Sequence, residues 1–60
     1  MTAREVISKL SKDGWTYDSQ TGSHRHFVHA TKPGKVTVPM HRGDLKKGTL
    51  NSILKQAGLK

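Results

Sequence analysis

A two-layer α+β domain, ordered helix-strand-strand-strand-helix with both helices on one face of a three-stranded antiparallel sheet, is predicted from three features of the sequence. An amphipathic segment with its own stop signal lies at each end of the chain. Between them large and polar residues alternate with the period of a strand. Two turn signals, Thr21-Gly22 and Thr31-Lys32-Pro33-Gly34, divide that middle region into three strands.

Thr2-Ala3-Arg4-Glu5 matches a capping box, in which the Thr2 hydroxyl and the Glu5 carboxylate each satisfy an amide donor at a helix start. Ala3, Val6, Ile7 and Leu10 follow at i, i+3, i+4 and i+7 and make one apolar stripe. Gly14 supplies a left-handed residue that ends the helix, with Trp15 folding back on the last turn. The first strand runs from Trp15 to Gln20 and puts Trp15 and Tyr17 on one face. Gly22 is expected to bring a positive φ or a bulge between the first two strands.

The second strand spans Ser23 to Ala30, and a tight Pro-Gly hairpin joins it to a third strand, Lys35 to Pro39. Val36 and Val38 point inward; Pro39 ends pairing because it has no amide hydrogen. Met40 to Thr49 is a basic connection with Asp44 as the cap of a short helical turn. Leu50, Ile53, Leu54 and Ala57 then repeat the helical stripe, and Gly58-Leu59 repeats the stop.

With 60 residues the chain forms a single domain, residues 1–60, and a domain of that size buries only about 60% of the surface its unfolded chain exposes. The absence of cysteine excludes a disulfide framework and Cys-based zinc sites, consistent with a reducing cytoplasm. No long apolar run or leader pattern occurs, so a soluble cytoplasmic protein with no membrane partner is expected. Lys and Arg number 11 against 4 Asp and Glu, a net charge of +7. Such an excess on so short a chain points to a polyanionic partner.

The stretch Gly22-Ser23-His24-Arg25-His26-Phe27 carries the chemistry. On a strand, His24, His26 and Val28 share one face and Arg25, Phe27 and His29 the other. If Phe27 enters the core, both His24 and His26 face outward, beside Lys35 and Thr37. An exposed histidine on a rigid strand among cations suits acid–base chemistry on a phosphate ester. His24 is the candidate catalytic residue. His26 is either an auxiliary acid or base or a strand residue with no role. Gly22 and Ser23 form the turn that presents them, and the bare Gly22 backbone also leaves room for a phosphate.

Lys46 and Lys47 precede the last helix, whose first amides and dipole attract anions. With Lys35 and Arg42 they are the candidate RNA-phosphate contacts, set against the alternative of plain solvated charge. A metal site built on His24 and His26, joined by His29 or His41, lacks a carboxylate or cysteine to complete it, so no metal or other cofactor is expected. Trp15, Tyr17 and Phe27 are assigned to the core in preference to base stacking.

The predicted order of elements is that of double-stranded RNA-binding domains, in which lysines at the start of the last helix contact phosphates. More specific are Asp13-Gly14-Trp15, Gly22-Ser23-His24, Val36-Thr37-Val38-Pro39, Leu45-Lys46-Lys47-Gly48-Thr49-Leu50 and Ser52-Ile53-Leu54-Lys55-Gln56-Ala57-Gly58-Leu59. In this order and spacing they resemble, over essentially the whole chain, the HicA toxins of HicA–HicB toxin–antitoxin pairs. The resemblance implies an endoribonuclease that cleaves mRNA, depends on the histidine at His24, and forms a heteromeric complex with a HicB-type antitoxin protein. Three classes of function therefore remain at this point: a metal-independent ribonuclease toxin, a non-catalytic RNA-binding module of the same fold, and a protein-interaction domain whose basic face docks an acidic partner.

Overall fold

The computed structural model describes residues 1–60. The order is α1 (Ala3–Lys12), β1 (Trp15–Thr21), β2 (His24–His29), β3 (Val36–Pro39) and α2 (Lys47–Gln56), and the strands form one antiparallel sheet in the order β1-β2-β3. This is the α+β arrangement expected from the alternation of patterns. No helix is long and apolar enough to cross a membrane.

α1 begins as its capping box dictates: the Thr2 amide donates to Glu5 Oε1 at 2.8 Å and the Glu5 amide to Thr2 Oγ1 at 3.2 Å. The Thr2 amide, and then the Thr2 hydroxyl beside it, hold the Glu5 carboxyl below its ordinary value. Gly14 follows the helix with φ +101°, and α2 closes in a Schellman motif with the amides of Gly58 and Leu59 returning to Lys55 and Leu54. The helices bury Ala3, Val6, Leu10, Ile53 and Ala57 against Trp15, Phe27, Val36 and Val38, which project from one face of the sheet. Burial of the two stripes thus leaves the opposite sheet face open.

Thr21 pairs with His24 across a two-residue turn, with Gly22 at its first central position and φ +58°. Between Tyr17 and Ser19 the register shifts, so that Asp18 and Ser19 together oppose His26. Phe27 pairs with Val36 and His26 with Thr37, which places His24, His26 and Thr37 on the open face.

Three expectations are corrected. β2 and β3 are not joined by a tight Pro-Gly hairpin; residues 30–35 form an open loop, because His29 and Lys32 draw it towards the helices. The His29 Nε2–H donates to the Asp13 carbonyl at 2.6 Å, and its Nδ1 accepts from the amides of Thr31 and Lys32 at 3.1 and 3.2 Å. Lys32 Nζ donates to Asp13 Oδ2 and to the Ala57 carbonyl. Asp44 caps no helical turn: it forms a bridge with Thr2 and lies 3.4 Å from the amino terminus. Tyr17 is not a core residue but 58% exposed: on the edge strand it stands edge-on to Phe27 and lines an open cavity beside Ile7 and Ser11 of α1.

Candidate active site

The hairpin turn and the end of β3 meet the start of α2 at one corner of the open face. There His24, Thr37, Pro39, His41, Arg42, Asp44, Leu45, Lys46 and Thr49 line a cavity of about 620 Å³. His24 reaches it because the two-residue turn starts β2 at that residue and pairs it with Pro39. The ladder is extended past Pro39 by the Met40 amide donating to the Ser23 carbonyl at 2.7 Å, and the His41 amide then bonds back to the Pro39 carbonyl at 3.1 Å. The second bond turns the chain, and His41 and Arg42 become the next wall.

Lys46 is the N-cap of α2, and no side chain caps that end. The first intrahelical bond runs from the Leu50 amide to the Lys46 carbonyl, so the amides of Lys47, Gly48 and Thr49 have no partner within the helix. A helix start of this kind carries a partial positive charge. Lys46 and Arg42 add full charges. Asp44, already set against the amino terminus, is the only acidic residue of the lining.

Of the residues singled out in the sequence, His24, Arg42 and Lys46 are brought together here. Ser23 and Gly22 form the adjoining turn. Lys47 is exposed on the first turn of α2, and Lys35 lies away from the cavity in the loop just before β3, its Nζ 3.1 Å from Asp18 Oδ2. That contact with Lys35, and then the Ser19 hydroxyl, hold the Asp18 carboxyl below its ordinary value. His26 stands mid-sheet with Nδ1 hydrogen-bonded to Thr37 Oγ1 at 2.9 Å and Nε2 to Thr21 Oγ1 at 3.1 Å. Its ring thus ties the three strands together.

Sequence reasoning did not single out His41 for this cavity, nor His29 as the anchor of the following loop. The signal for His41 was its place two residues past Pro39, the partner of His24 in the ladder. No cluster of three or more metal-ligating side chains occurs.

The fold and this corner define a small basic α+β protein with an exposed imidazole facing a cationic, helix-headed cavity, a class suited to handling phosphate esters. The family described as HicA toxin of bacterial toxin-antitoxin matches residues 3–59. With almost the whole chain matched, it belongs to the HicA toxin family. Among curated proteins none matches the chain.

Proposed function

We propose that this protein is the toxin of a toxin–antitoxin pair and acts in the cytoplasm as a metal-independent endoribonuclease on mRNA. The observation that carries this reading is the shared cavity of His24, Arg42 and Lys46 at the uncapped start of α2. RNA brings its own nucleophile, the 2′-hydroxyl. The protein has to move protons and stabilise the charge that develops on phosphorus. His24 exchanges a proton with the reacting ribose-phosphate, a role worth roughly 10² to 10⁴ in rate. Arg42, Lys46 and the free amides of α2 oppose the growing charge. Lys47 and Lys35 then serve as flanking phosphate contacts, and Gly22-Ser23 keeps the approach to His24 clear of bulky side chains.

A HicB-type antitoxin with an acidic face fits the same surface, since a partner that neutralises it also hides His24. RNA and antitoxin are then mutually exclusive ligands. The test is cleavage of a defined RNA in EDTA by the native protein and by His24→Ala, both shown to be folded by circular dichroism. Cleavage by the native chain alone is expected. Equal cleavage by the two, or cleavage only after a metal is restored, overturns the reading.

A further inference from the structure

One imidazole cannot by itself be both the base and the acid of a concerted transesterification, and the distribution of the four histidines bears on where the second group lies. Two are bonded on both ring nitrogens: His26 to Thr21 and Thr37, and His29 to Asp13, Thr31 and Lys32. The other two, His24 and His41, are exposed and line one cavity. They arrive from different directions. His24 opens β2, whereas His41 follows the turn after Pro39, so the two residues approach a common space from the start of β2 and from the segment beyond β3.

We propose that His41 is the second acid–base residue of this site, acting with His24 on opposite sides of the scissile phosphate. The proposal rests on the ribonuclease reading above. In the step, the 2′-oxygen attacks phosphorus as one imidazole takes the 2′-hydroxyl proton. The bond from phosphorus to the 5′-oxygen breaks as the other, an imidazolium, gives its proton to that oxygen. The products are a 2′,3′-cyclic phosphate and a free 5′-hydroxyl, and the protons and charges balance with no added co-reactant. The remaining charged groups around the pair are Arg42, Lys46 and Asp44, with Arg42 and His41 also walling a second cavity beside Arg4 at the start of α1. The cationic majority suits the phosphorane. His26 lacks a free nitrogen for the task without giving up a threonine.

The experiment compares the native protein, His24→Ala, His41→Ala and His41→Gln in EDTA, each checked for folding, on a defined RNA and on a nucleoside 3′-phosphodiester with a 4-nitrophenolate leaving group. The native enzyme gives a bell-shaped pH profile in kcat. The His41 variants lose about 100-fold or more in kcat with little change in KM, and lose one limb of the bell. The activated ester needs no proton on departure, so it restores the rate of one single-histidine variant and not the other. Native-like kcat with both limbs retained in His41→Ala, or a change in KM alone, overturns the role of His41 and leaves that of His24 intact. Failure of the native protein to cleave RNA, or full activity in His24→Ala, overturns the ribonuclease reading itself.

Discussion

The His29 Nε2–H donates to the carbonyl oxygen of Asp13 at 2.6 Å and so fastens the end of α1 to the end of β2. The same ring meets Trp15 edge-on with centroids 5.1 Å apart and accepts two loop amides. His29→Ala removes all of these contacts and leaves polar groups without their partner. A loss of about 2 kcal/mol is expected. For a domain this small that lowers Tm by roughly 10 °C. An unchanged urea midpoint and Tm would show that the loop holds without its anchor.

Gly14 and Gly22 both have positive φ, at +101° and +58°, but differ in their surroundings. A Cβ at Gly14 would lie 2.8 Å from His29 Nε2, while one at Gly22 meets nothing within 4 Å. Gly22→Ala should cost about 1 kcal/mol, the backbone penalty alone. Gly14→Ala adds displacement of the His29 ring and should cost about 2–3 kcal/mol. Equal destabilisation in chemical denaturation would remove the contact from the explanation.

The Asp13 carboxyl is held below its ordinary value first by its hydrogen bond from Lys32 and then by the charge of that lysine. A carboxyl whose folded value is depressed contributes its full stability above its unfolded value, and that contribution fades as pH falls through the folded one. Native protein should therefore be more stable than Asp13→Asn at neutral pH, with the gap narrowing below about pH 4. A gap that stays constant down to about pH 2 would falsify the linkage.

Lys46 at the start of α2 should contribute one ionic contact to RNA. Lys46→Ala is expected to reduce the slope of log K against log salt by about 0.7 for single-stranded RNA. Lys9→Ala, on the exposed side of α1, provides the comparison and should leave that slope unchanged. Affinity measured on a non-cleaved 2′-deoxy analogue keeps chemistry out of the comparison, and identical slopes for all three proteins would remove Lys46 from the interface.

Elements set by local chemistry were readable in advance. The Thr2/Glu5 capping box, the stripe of Val6 and Leu10, and the glycine stops at Gly14 and Gly58 depend on neighbours within a few residues, and all took the expected form. Phe27, Val36 and Val38 set the sheet register because a one-residue slip would put them in water. The 30–35 loop was not readable. Pro33-Gly34 favours a tight turn locally, but the bonds from His29 and Lys32 reach residues 13 and 57, distances in sequence that no local pattern encodes.

At the site, the outward face of His24 followed from alternation, and the free amides of α2 from the helix pattern. That Lys35 meets Asp18 while Lys46 lines the cavity with His24 depends on strand stagger and on the path from Pro39 to Leu45. Asp44 shows the same limit. A cap was the local choice, yet pairing with Thr2 and proximity to the amino terminus prevailed.

The register shift at Asp18 and Ser19 gives β1 one residue more than β2 requires. Deleting Asp18 would leave every other partner across the hairpin unchanged, from Trp15 with His29 to Thr21 with His24, and would forfeit the ties of its carboxylate to Lys35 and to the Ser19 hydroxyl. A deletion elsewhere in either strand inverts the side chains beyond it. The hairpin therefore has one place where a residue can be lost without changing its pairing, on the edge strand and away from the turn that presents His24.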